Sequence, residues 1–238
     1  MTSPRSEKET SDGTGSRWTR AFPEAFILTS ASLGLIWFYK TWMRRIPQAA
    51  NVKPGYFRHR SIYGRVTSVG DADGLRIYHT PGGKLLGWGW LRSIPSKPKD
   101  LKDNTISIRL AGVDAPELAH FGRPAQPFGE EAQTWLKSYV LNKNVRAYVH
   151  RRDQYERIVA TVYIWKWFLN RDVGMQMLKR GLAVVYEGKT GAEFGGSEEK
   201  YHRTESLAKL LKKGLWSGSA ATMESPGTYK ARYRNDGG

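Results

Sequence analysis

The chain contains no cysteine. Disulfides and thiolate metal sites are therefore excluded, and any bound metal must be held by oxygen or imidazole ligands. Acidic residues are scarce: 22 Asp and Glu stand against 38 Lys and Arg, a formal charge of +16 over 238 residues. A surface this basic gathers polyanions, so nucleic acid or an anionic membrane face is the natural partner. There is no internal repeat, and the length suits one ordinary domain with tails or an anchor. The apolar run near the N-terminus is not expected to be a secretory signal. Such a signal would place a basic flank before an apolar run and small residues after it, whereas here Arg44 and Arg45 follow the run.

That run, Ala25 to Tyr39 (AFILTSASLGLIWFY), is free of charge. As a helix its fifteen residues cover roughly 22 Å against a hydrocarbon core of about 30 Å. Its flanks extend it. Phe22 precedes it, Trp37, Tyr39 and Trp42 form an aromatic edge, and Lys40 is placed to snorkel. Counted from 21 to 43, the segment is expected to be a single transmembrane helix; a buried core helix is the competing reading. The following segment, 44–60, is strongly basic and reads as a linker, placing the C-terminal body on the cytosolic or matrix side. Residues 1–20 are polar and read as a disordered tail, as do residues 219–238 at the other end.

From Ser61 the texture becomes globular. SIYGRVTSV, LRIYH, ISIRLAGV, VRAYVH and RIVATVYIW alternate β-branched or aromatic residues with polar ones and are expected to be strands. Between the second and third lies a Gly-, Pro- and Lys-rich stretch, 80–104, whose Trp88, Trp90 and Leu91 are expected to pin it to the body. Stacking of these rings on bases is the functional alternative. Helices are predicted over Ala132 to Val140, from about Asn170 or Asp172 to Gly181, and from Ser197 to Gly214. The order of strands and helices predicts an α+β fold: a five-stranded barrel with three helices over residues 61–218, preceded by the anchor.

Three segments carry chemistry. VGDADGLRI holds Asp71 and Asp73 at a strand end, IRLAGVDAPE gathers Arg109, Asp114 and Glu117, and DQYERIVATVY opens a strand with Arg157. Singly, these are turn formers and solvated charges. Together they match the needs of phosphodiester cleavage. Asp73 and Asp114 suit a hard cation such as calcium or magnesium, and Glu117 suits activation of a water. Arg109 and Arg157 suit forked contacts to phosphate oxygens. His79, His120, His150 and His202 show no ligand spacing.

These segments resemble the staphylococcal nuclease family. The acidic turn Asp71-Ala72-Asp73-Gly74, the run from Arg109 to Glu117, Tyr155-Glu156-Arg157, Gly181-Leu182-Ala183 and the closing LAKLLKKGLWS appear in that family's order. With the N-terminal apolar segment and the GWGWLR insertion, the chain most resembles a fungal, membrane-bound, mitochondrially assigned endonuclease branch. The resemblance implies an OB-fold barrel and calcium-dependent hydrolysis of DNA and RNA. Arg109, Glu117 and Arg157 would be catalytic. Asp73 and Asp114 would hold the metal with the carbonyl of Ala115, and Asp71 would tune it. Four positions depart from the pattern: Ala72, Gly74, Ala115 and Glu156. The carboxylate of Glu156 is expected to pair with Arg157 and weaken its hold on phosphate. A catalytically silent nucleic-acid-binding module at a membrane is the alternative function, and a tether whose basic linker binds anionic lipid is a third.

Overall fold

A computed structural model describes residues 15–119, 124–166, 168–187, 192–218 and 224–235. The chain divides into two compact units, residues 1–44 and 45–238. In the first, helix α1 (Gly15–Phe38) continues into a wider π-helical turn, Tyr39–Met43. Residues 15–20, expected within the polar tail, thus belong to a helix. The apolar side chains of α1 from Phe26 to Phe38 are exposed. Among the described residues, no helix is long and apolar enough to cross a membrane. The uncharged stretch occupies only the C-terminal part of α1, and Arg17, Arg20 and Glu24 occupy the rest.

The second unit begins earlier than its first strand. Ile46, Ala49 and Val52 are buried in the core, and Arg152 donates to the carbonyls of Ala49 and Ala50 at 3.0 Å. The segment read as a basic linker is therefore folded onto the body. The strands are β1 (Ser61–Val69), β2 (Gly74–His79), β3 (Ile106–Leu110), β4 (Val113–Asp114), β5 (Asn144–Arg152), β6 (Ile158–Lys166), β7 (Leu169–Asp172) and β8 (Val184–Val185). The sheet runs β3-β2-β1-β5-β6-β7, and a parallel β3–β6 pairing closes five of these strands into a mixed barrel with β7 outside it. Closure leaves the five barrel strands without a free edge. Ile62 and Val66 from β1, Ile77 from β2, Ile106 and Ile108 from β3 and Ile158 from β6 are fully buried along its axis. The OB-like α+β architecture is the expected one.

The helices of this unit are α2 (Pro98–Leu101), α3 (Gly129–Val140), α4 (Val173–Leu178), α5 (Glu198–Leu210) and α6 (Pro226–Asn235). Helix α3 carries Glu130 and Glu131 in its first turn, where the dipole favours acids, and buries Ala132, Leu136, Tyr139 and Val140. Helix α4 is capped by Asp172, which accepts from the Met175 amide at 3.1 Å and from the Tyr201 hydroxyl of α5 at 2.7 Å. Helix α6 occupies the stretch expected to fray, so that expectation is corrected.

His79 ends β2 in the barrel wall, where its Nδ1 accepts the Ile46 amide at 2.8 Å. Burial, with Arg45 nearby, lowers its pKa to about 4. A buried imidazole held neutral contributes stability that is complete above its unfolded pKa and lost as pH falls toward the folded one. Urea unfolding should show a loss of about 2 kcal/mol between about pH 7.5 and about pH 5, from a pKa of roughly 6.5 in the unfolded chain. Burial also lowers the pKa of His150, which adds loss of the same sign. His79→Gln, which keeps an acceptor for Ile46, should flatten most of this slope; an unchanged slope would contradict the assignment.

Candidate active site

Asp73 precedes β2, and its carbonyl accepts the Leu110 amide at 2.9 Å, which fixes it beside β3. Gly74 pairs with Arg109 in the β2–β3 ladder. Alternation along β3 buries Ile108 and Leu110 and sends Arg109 to the other face. After β3 the chain turns at Gly112, whose φ is +71°. A Cβ there would lie 2.7 Å from Phe194 and 2.9 Å from Tyr201. The turn delivers Asp114 on β4, which pairs with β8. Strand β8 is held in turn by buried Glu205, which accepts the Val185 amide at 2.8 Å.

These elements bring three charges together. One Arg109 nitrogen, Nη2, lies 2.9 Å from Asp114 Oδ1 and 3.2 Å from Asp73 Oδ2. Asp114 is 4% exposed and Asp73 is 9% exposed. Burial pushes the Asp73 carboxyl above its usual range, with Asp114 adding to the rise and Arg109 opposing it. Burial disfavours the charge on Arg109, yet the two aspartates outweigh it and raise its pKa. The Arg109 guanidinium also lies 5.5 Å from the Tyr186 ring. A cleft of about 810 Å³ opens onto Arg109 and Asp114, lined also by Tyr186, Trp216, Lys209 and Lys230.

Lys230, on α6, is the residue that sequence reasoning missed. Its Nζ lies 2.7 Å from Asp114 Oδ1 and 2.8 Å from Glu117 Oε1. Burial works against its charge, but the two carboxylates raise its pKa. Glu117 thus joins the cluster through this ammonium, while its backbone amide donates to Gln126 Oε1 at 2.9 Å. Asp71 stays outside: it is exposed, and its carbonyl accepts the Gly74 amide in the turn at 3.3 Å.

Arg157 opens β6 beside β3, where its charge lowers the pKa of Asp73 through space. Its side-chain partner is Asp153, whose Oδ2 accepts Nε at 2.8 Å. Asp153 Oδ1 also accepts the amides of Tyr155 and Arg157 at 2.9 and 2.8 Å, so one carboxylate shapes the hairpin and aims the arginine. These bonds bring the Asp153 pKa down although burial acts to raise it. The expected Glu156–Arg157 pair is corrected on this point. Glu156 is exposed with φ of +58°, a conformation in which glycine is unstrained, so its effect falls on the turn.

Among the described residues, no group of three or more His, Asp or Glu gathers as a metal site. Asp73 and Asp114 nevertheless form a buried, oxygen-only pair. Both carboxylates lie on the same Arg109 nitrogen, at 2.9 and 3.2 Å. Such donors fit a hard cation that completes its shell with water or phosphate. An ammonium on Asp114 and a cation held by the same oxygen exclude one another. Lys230→Ala should therefore tighten binding of a hard cation roughly tenfold, about 1.4 kcal/mol, as read by terbium luminescence. Weaker binding in that variant would contradict the competition.

Comparison with known proteins identifies the family. The family model for staphylococcal nuclease homologues matches residues 107–218. "Probable endonuclease LCL3" of Pyricularia oryzae is 57% identical over 207 residues, covering 87% of this chain and 80% of that protein. The protein of the same name from Arthroderma otae is 58% identical over 210 residues, covering 87% and 74%. "Probable endonuclease lcl3" of Aspergillus oryzae is 53% identical over 226 residues, covering 90% and 82%. A closed barrel that sets Arg109 between two buried aspartates, joined to similarity of this extent, places the chain in the staphylococcal nuclease family.

Proposed function

We propose that the chain is a calcium-dependent endonuclease that hydrolyses phosphodiester bonds in DNA or RNA while held at a membrane by the apolar stretch of α1. The observation that carries the nuclease reading is Arg109 standing between Asp73 and Asp114 at the mouth of a cleft in a strongly basic chain. The relatives' names, which describe probable endonucleases, support it.

Asp73 and Asp114 would hold the cation. Bound there, calcium supplies a Lewis acid that polarises a phosphoryl oxygen and offsets its charge, and magnesium suits the same donors. Glu117 is more exposed than the aspartates and beside Asp114 across Lys230, a position from which a carboxylate orients and deprotonates a water. Arg109 and Arg157 supply forked donors to the oxygens where charge develops. Asp153 serves Arg157 by fixing its direction. The membrane reading rests on the exposed apolar side chains of α1, among them Phe26, Leu28, Leu35 and Trp37. A mitochondrial membrane is part of the proposal through the resemblance noted above.

The second reading, a silent nucleic-acid-binding module, draws on Lys230, whose ammonium already sits on two of the carboxylates. Retention of all five site residues favours the enzyme. Cleavage of single-stranded and duplex DNA by the full chain, with calcium, magnesium or chelator, separates them. Glu117→Gln should lower the rate roughly 10²–10⁴-fold, the range for loss of a positioned base, while leaving cation binding in place. Binding without cleavage, indifferent to chelator, would overturn the enzyme reading.

A further inference from the structure

The β2–β3 connection, residues 80–104, divides its aromatic residues between two tasks. Trp88 is buried at 5% exposure; its indole donates to the Pro81 carbonyl at 3.0 Å, and its ring meets Tyr78 edge-on at 5.8 Å. Arg92 covers the ring at 3.9 Å. Trp88 alone therefore pins the loop as expected. Leu85, Trp90 and Leu91 point the other way, at 94%, 74% and 73% exposure, which corrects the expectation for Trp90 and Leu91.

This apolar tip is built. The Gly87 carbonyl accepts the amides of Leu91 and Arg92 at 2.9 and 2.8 Å, and Gly87 and Gly89 take left-handed conformations at φ of +87° and +94°. Trp90 Nε1 donates to the Lys84 carbonyl at 2.9 Å, inside the loop itself. The indole's one polar atom is already satisfied, so its ring can leave water without stranding a donor. Around the tip the loop carries Lys84, Arg92, Lys97, Lys99 and Lys102 against Asp100 and Asp103. Aliphatic residues beside an indole under a basic rim suit a bilayer interface with anionic headgroups. Leu85 and Leu91 offer nothing for a base to stack on.

Placement favours the same partner. In the β2–β3 ladder, Gly74 pairs with Arg109 at one end and Ile77 with Ile106 toward the other. The loop leaves after His79 and returns before Ile106, at the end of the ladder away from Asp73 and Arg109. The beginning of the folded unit is tied to the root of this loop. Arg45 donates to the Asn104 carbonyl at 2.9 Å and lies over Tyr78 at 4.2 Å, and the Ile46 amide donates to His79. The folded unit therefore begins at the foot of the exposed tip.

We infer that Leu85, Trp90 and Leu91 form a second membrane contact, inserting into the interface of an anionic bilayer. This contact deepens the membrane reading under Proposed function and rests on it. Added to the anchor, a contact at this end of the ladder would fix the domain's orientation and leave Asp73 and Arg109 directed away from the lipid.

Because the chain has no cysteine, Leu85→Cys and Ser68→Cys each give a unique labelling site in the full chain. Ser68 is exposed near the β1–β2 turn, at the other end of the ladder. Each labelled protein would be reconstituted with vesicles of phosphatidylcholine and phosphatidylserine, floated, and exposed to nitroxide-bearing lipid. The inference predicts flotation, a blue shift and quenching at position 85, no response at 68, and loss of the response at 85 in Trp90→Asp/Leu91→Asp. Flotation with identical behaviour at 85 and 68 would overturn the loop contact and leave the anchor standing. Failure to float would overturn both. A label at 85 that responds to single-stranded DNA and not to vesicles would assign the loop to nucleic acid.

Discussion

Arg109 is a half-buried cation between two buried acids, and neither side of that arrangement is tolerable alone. Two carboxylates at this depth without a counter-charge would face a desolvation cost of several kcal/mol each. The ladder that pairs Gly74 with Arg109, the Gly112 turn, the β4–β8 pairing and the Glu205 bond to Val185 all serve to hold these three charges in register. Much of the domain outside the barrel can be understood as scaffolding for that contact. Because one guanidinium nitrogen serves both acids, there is room beside them for further positive charge.

Lys230 supplies such a charge from the far end of the chain. The ammonium neutralises Asp114 and Glu117 together, the acid assigned to the cation and the acid assigned to the water. If these acids act as proposed, a cation at Asp114 would have to displace the Lys230 ammonium from it. At the other end of the β2–β3 ladder, the Leu85–Leu91 tip lies near the start of the folded unit, where Arg45 and Ile46 bind Asn104 and His79. The proposed loop contact and the charged cluster would thus lie at opposite ends of a single pair of strands.

Local pattern made much of this readable beforehand. Alternation identified the barrel strands and the outward side of Arg109, helical spacing identified α3, and Asp172 and Ser197 marked the starts of α4 and α5. The five site residues stood out because strand ends and turns concentrate them in short segments. What escaped was non-local or conformational. Lys230 and Asp114 are 116 positions apart, and α6, although Ser225 caps it and Pro226 opens it, has no apolar stripe to announce it. Asp153 and Glu156 are equally acidic neighbours of Arg157, and only the left-handed turn decides that the first makes the contact. Trp88 and Trp90 are two residues apart and look alike in sequence; the Gly87 and Gly89 conformations send one inward and the other out.

The central claim is that Asp73 and Asp114, organised by Arg109, form the cation site of a nuclease. Calorimetric titration of the full chain with calcium tests it most directly, with Asp114→Asn compared at matched circular dichroism. The account predicts a single saturable binding event in the parent chain and its loss in the variant. Undiminished calcium binding in a folded Asp114→Asn protein would contradict it.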